Sequence, residues 1–342
     1  MRAIGTLAFY ASAALAAAAT VTLPAADALA QVVAPLPREQ SLPEGPTDRS
    51  GMPMEGWVVL RYTILADGTT ADVHAIDRMP PQLDVKEAVA AAGTWTFAPA
   101  TDGGAPIEWH NNEIALMFDV DSVPLEPSPP FVNAYREVDA LIGSEDFKKA
   151  LKSNESMLST VTSRIGEIGV AEVQNASINL SLGDLHAAYD AIKHATDPRV
   201  PVLSDEDLRV ALQYRNVIEL QLGDMVAALD TFERRKALGP VADSDPMASR
   251  AAAIAEALQG EAAIAIKAKV LEDSWRHVPS RRTFAISDVD GDIKGIRVEC
   301  NRRSADLEFT AETEWTLPAS WGDCTLMVQG RRDTEFTFYE FP

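Results

Sequence analysis

Gly56-Trp57-Val58-Val59-Leu60-Arg61-Tyr62-Thr63-Ile64, followed by Leu65-Ala66-Asp67-Gly68-Thr69, is the stretch on which the fold of the N-terminal part turns. Val58, Leu60, Tyr62 and Ile64 recur at period two, the spacing of a half-buried strand. Asp67-Gly68 between β-prone runs predicts a hairpin through a type I′ turn, whose two central residues need positive φ. The partner strand is expected over residues 71–76. Pro80-Pro81 ends that ladder, and Asp84 with Glu87 three residues on has the spacing of a capping box ahead of an alanine-rich helix, 84–92, closed by Gly93. Thr94 to Ala100 is an aromatic run stopped by proline, Asp102-Gly103-Gly104 a turn, and Ile114, Leu116, Phe118 and Val120 alternate along a last strand. The expected unit is ββαβ.

Gly56-x-Val58, Ile64 to Gly68, Leu83-Asp84, Ala88, Trp95 to Ala100, Gly104-Ala105-Pro106 and the closing apolar strand resemble the TonB C-terminal domain over residues 45–120. The resemblance implies recognition of an extended peptide of an outer-membrane protein by its addition to a sheet edge. Trp57, Val59 and Arg61, opposite the core stripe, or Ile114, Leu116 and Phe118 of the last strand are then the expected peptide-binding residues. It also implies a cell-envelope setting. Transducers of this family usually carry a long Pro/Lys-rich spacer and place the domain at the C-terminus; here it lies near the N-terminus.

Residues 1–30 run from Arg2 through an apolar stretch, Leu7 to Leu23, to Ala28-Leu29-Ala30, a secretory signal-peptide pattern with export to the periplasm. The alternative is an uncleaved anchor in the inner membrane, which would make the chain an energy transducer coupled to an outer-membrane transporter; membrane association is expected only in that case. Residues 31–53 and 122–130 are expected as proline-bearing linkers flanking a domain over 54–121. The 342 residues carry a net charge of −21, a surface that repels nucleic acid and anionic lipid.

From residue 131 to 260 the period becomes helical. Asp146-Phe147-Lys148-Lys149-Ala150-Leu151, Asp184-Leu185-His186-Ala187-Ala188-Tyr189 and Asp224-Met225-Val226-Ala227-Ala228-Leu229 align at intervals of 38 and 40 residues, two of them after Leu-Gly. The pattern resembles tetratricopeptide repeats, which imply stacked helix pairs with a groove for a partner; an ordinary bundle is the alternative. Residues 261–342 return to period two, with about six short strands expected in a small antiparallel β domain. Cys300 and Cys324 suit one disulfide in an oxidising compartment. Asp288 to Asp292 is expected to be a hairpin turn rather than a calcium loop. The arginine pairs 281–282, 302–303 and 331–332 are expected at polar-out positions on half-buried strands, or grouped on one sheet face to receive an acidic partner or the chain's own acidic helices.

Five dispersed histidines, expected to be solvated, form no metal-ligand spacing, and no nucleophile elbow or phosphate loop is present in the sequence. The expectation is an α+β multidomain protein that binds other proteins, without catalytic residues, metal or cofactor.

Overall fold

A computed structural model describes residues 32–47, 51, 53–119, 127–162, 164–242, 244–270, 273–311 and 313–342. The expected signal peptide or anchor, residues 1–30, and residues 122–126 of the second linker lie outside the described residues. No helix among the described residues is long and apolar enough to cross a membrane.

The chain is α+β and multidomain. Its first part holds β1 (Leu36–Glu39), β2 (Gly56–Ile64), β3 (Thr70–Met79), α1 (Lys86–Ala92), β4 (Thr96–Ala98), β5 (Ala100–Asp102), β6 (Ala105–Ile107) and β7 (Trp109–Phe118). The main sheet is antiparallel, in the order β3-β2-β7, while β1 pairs with β4. Residues 36–39 of the first expected linker are therefore strand. Val58, Leu60, Tyr62 and Ile64 pack with Leu83, Trp95 and Phe97 on the α1 side, as their spacing predicts.

Local details depart from expectation for chemical reasons. Only Gly68 of the first hairpin has positive φ (88°), and Leu65 N–H donates to Thr69 O, closing a three-residue loop rather than a type I′ turn. A side chain at Gly68 would run into the carbonyl of Phe97, so glycine is required twice over. Helix α1 starts at Lys86 because Asp84 Oδ1 accepts from the Lys86 N–H two residues on, leaving Val85 at the cap position.

The helical part comprises α2 (Pro129–Gly143), α3 (Phe147–Thr160), α4 (Ile165–Leu182), α5 (Leu185–Thr196), α6 (Asp205–Leu222), α7 (Met225–Leu238) and α8 (Pro246–Gln259). Three successive pairs are joined by one recurrent turn. Asp146, Asp184 and Asp224 each cap the second helix, accepting from the N–H of Lys149, Ala187 and Ala227. Each Asp N–H reaches back to a carbonyl of the first helix, at Leu141, Asn179 and Glu219. Ala150, Ala188 and Ala228, four residues on, are wholly buried where the paired helices touch. The residue before each aspartate is left-handed: Glu145 (φ 60°), Gly183 (79°) and Gly223 (77°). The first copy lacks the Leu-Gly of the other two because a glutamate occupies the glycine position.

The C-terminal part is a sandwich of eight strands: β8 (Ile264–Lys269), β9 (Ser274–His277), β10 (Thr283–Asp290), β11 (Ile293–Cys300), β12 (Ser304–Leu307), β13 (Glu314–Thr316), β14 (Cys324–Gly330) and β15 (Glu335–Phe341). Sheets β13-β10-β15-β8 and β12-β11-β14-β9 enclose Phe284, Ile296, Val298, Leu326, Phe336 and Phe338. The disulfide Cys300–Cys324 links opposed residues of β11 and β14. Asp288 to Asp292 joins strands of different sheets, so it is a corner and not the hairpin turn expected.

The arginine pairs serve this chain more than a partner. Arg281 donates to the carbonyls of Ala257, Gly260 and Ala262, satisfying acceptors left over at and just after the end of α8, and Arg302 lies over Trp109 at 5.5 Å. Arg331 and Arg332 are exposed.

The main sheet docks on the helices through its second face. Trp57, Val59 and Met79 pack with Phe131, Met157, Leu158, Ile168 and Val202. Strand β2 is thus covered on both sides, not half-buried, and eight of its nine residues are buried. His194 of α5 is also internal, correcting the expectation of solvation. Its Nε2 lies 3.1 Å from Asp77 of β3, and its Nδ1 lies 3.6 Å from Glu172 of α4, ion-pair rather than hydrogen-bond range. Burial opposes its protonation, but the two carboxylates outweigh burial and raise its pKa to about 10.

Two outcomes are expected. In chemical denaturation, Glu145→Gly raises stability by about 1 kcal/mol, because an exposed residue gives up a left-handed backbone, and Gly183→Ala lowers it by a similar amount. Because the folded-state pKa of His194 exceeds its unfolded value of 6.5, its contribution is complete below pH 6.5 and is lost as pH rises through about 10. Melting curves are expected to fall over that window, and His194→Gln to lower Tm at pH 7 and flatten the fall.

Candidate peptide-binding edge

Strand β2 is the central strand, hydrogen-bonded on both sides, so Trp57, Val59 and Arg61 border no free edge. Trp57 and Val59 are completely buried beneath the helices, and an added peptide has no access to them in this arrangement. The sheet's edges are β3 and β7.

These edges differ. Strand β3 slips register against β2 between Asp77 and Ala75 and again between His74 and Ala71, with Asp72 at φ 53°. Such bulges blunt an edge by displacing backbone groups from a straight row. Strand β7 pairs with β2 without a slip over seven residues, from Tyr62↔Asn112 to Gly56↔Phe118. Among the described residues no strand pairs with its other side. Ile114, Leu116 and Phe118 point to the α1 side and pack with the domain core, while Glu113 and Met117, on the helical side, are exposed. The last-strand residues expected from the sequence therefore sit together on an edge, whereas those of β2 do not.

Arg61 holds the parts together instead. It donates to Glu113 of β7 at 2.8 Å and to Glu299 of β11 at 2.9 Å, and Glu113 also receives Arg199, from the α5–α6 connection, at 2.6 Å. Burial raises the pKa of Glu113, but hydrogen bonds from Arg61 and Arg199 prevail and hold it below its usual value. A cleft of about 220 Å³ opens beside this clasp, between Asn111, Val278, Asn301 and Asp323. On the helical part, a groove of about 380 Å³ lies between Arg209, Val210 and Gln213 of α6 and residues 240–242 and 244–246.

Two polar clusters escape sequence reasoning because their members are far apart in the chain. One is His194 with Asp77 and Glu172. The other is buried in the sandwich, where Glu340 accepts from Ser280 and lies 2.7 Å from His277 Nε2. The serine hydroxyl there bonds to the carboxylate and not to the imidazole, so the three do not form a serine–imidazole–carboxylate relay. Hydrogen bonds hold the Glu340 carboxylate below its usual pKa against the opposing effect of burial. Among the described residues no group of three His, Cys, Asp or Glu is placed to hold a metal ion.

A search of curated proteins returns no match for the chain. Residues 46–120, which carry the β3-β2-β7 sheet and α1, match the family model described as Gram-negative bacterial TonB protein C-terminal, so this part of the chain is similar to that cell-envelope domain.

Proposed function

We propose that the protein is a non-catalytic interaction protein of the cell envelope which takes an extended peptide onto the outer side of β7. The observation that carries this reading is the unbroken register of Asn112–Phe118 on one side of β7 and the lack of a pairing strand on the other among the described residues. A peptide added there gains backbone hydrogen bonds, and its alternate side chains extend the row Ile114, Leu116 and Phe118. The partner is a protein of the envelope, with an outer-membrane protein suggested by the family matched at residues 46–120.

In this reading the helix pairs are tetratricopeptide-like and act as scaffold, with the α6 groove as a second contact surface. The protein is exported to the periplasm after cleavage at residue 30. The family match also favours a second reading, a transducer anchored in the inner membrane by residues 7–23 and coupled to an outer-membrane transporter. N-terminal sequencing of the protein from fractionated cells separates the two: Gln31 in the soluble periplasm supports the first, Met1 in the membrane fraction the second.

Met117 on β7 and Ile76 on β3 are comparably exposed, at 36% and 38%, so lysine at either position leaves the core intact. Lysine on an edge discourages strand pairing. Met117→Lys is expected to weaken capture of the envelope partner about tenfold, some 1.4 kcal/mol, and Ile76→Lys to leave it unchanged in the same pull-down titration. Equal effects would count against β7.

A further inference from the structure

Strand β7 has ten residues, but its outer side is not free along its whole length. At its start the sandwich takes the position that an added strand would occupy. His110 N–H donates to Asn301 O at 2.7 Å, and Asn111 Nδ2 donates to Cys300 O at 2.8 Å. Asn111 itself has φ 54°, and the pairing with β2 slips between Asn112 and Trp109, so the regular edge ends there. The Arg302 guanidinium over Trp109 seals the same end.

The Cys300–Asn301 corner is held in place from behind. Cys300 is bonded to Cys324, Asn301 N–H donates to Asp323 O at 3.0 Å, and Cys300 N–H donates to Arg303 O at 2.9 Å. Moving this corner aside disturbs the β11–β14 pairing and the sandwich core beneath it.

We propose that the Cys300–Asn301 corner is an end-stop on the binding edge, which limits the partner to an extended segment of seven paired residues along Asn112–Phe118, apolar at alternate positions. The inference rests on the β7 reading above and adds to it the length and register of the ligand. A partner chain that continues past Asn112 must turn away there, and the cleft between Asn111, Val278 and Asp323 is where it leaves the sheet. Pairing energy accrues per residue added to the ladder, so affinity stops growing where the ladder stops.

The test uses the full-length protein and fluorescein-labelled alternating Val-Thr peptides of five, seven, nine and eleven residues, with binding followed by fluorescence anisotropy. Expected is an affinity that rises at least severalfold from five to seven residues and is then flat, together with loss of binding in Met117→Lys. Binding that is lost in Met117→Lys but keeps strengthening to nine and eleven residues overturns the end-stop and leaves the β7 reading standing. If no peptide binds, or if binding survives Met117→Lys, the β7 reading falls and the end-stop with it.

Discussion

Strand β2 is enclosed on both faces, and much of the rest of the molecule follows from that. Its even-numbered residues from Val58 to Ile64 form the core beneath α1, while Trp57 and Val59 form a second core with α3, α4 and the connection after α5. Burying an aromatic or aliphatic side chain of this size contributes about 1.5–3 kcal/mol, so the second core binds the sheet firmly to the helical part. A sheet with both faces spent has only its edges left for recognition. The bulges of β3 and the straight register of β7 then decide between them.

Arg61 is the one strongly polar residue on the enclosed stretch of β2, and it emerges where all three parts meet. Glu113 from the sheet and Glu299 from the sandwich share its guanidinium, and Arg199 from the helical part shares Glu113. Exposed ion pairs contribute little, but a partly buried network in which one guanidinium binds two carboxylates adds orientation that apolar contact lacks. The clasp fixes where the sandwich lies relative to β7. That placement brings Asn301 against His110, so the same contacts that join the parts also set the limits of the open edge.

Much of this was legible in the chain. The stripe Val58, Leu60, Tyr62 and Ile64, the Asp-x-x-x-Ala turns of the helix pairs and the Cys300–Cys324 bridge each rest on residues close in sequence or on simple pairing chemistry. The second face of β2 was not legible, because Trp57 and Val59 find their partners some 70 to 145 residues away, at Phe131 and Val202. Nor was the choice of edge, since the slips in β3 involve Asp72 and Ile76, which read as ordinary strand residues. His194 looks solvated in a sequence and becomes a partly buried cation only when Asp77 and Glu172 arrive from two other elements. At the first helix-pair turn the left-handed position was not legible, because Glu145 stands where the other two copies have glycine.

The account depends most on β7 being an open, regular edge beside a strand closed on both sides. Native-state hydrogen exchange of the unliganded protein measures this directly. An edge strand turns every second amide toward its neighbour and the others outward. The account predicts alternating fast and slow exchange along Asn112–Phe118, with slow exchange throughout Gly56–Ile64 and at His110. Uniform protection of Asn112–Phe118 would mean that the edge is already covered, and would contradict it.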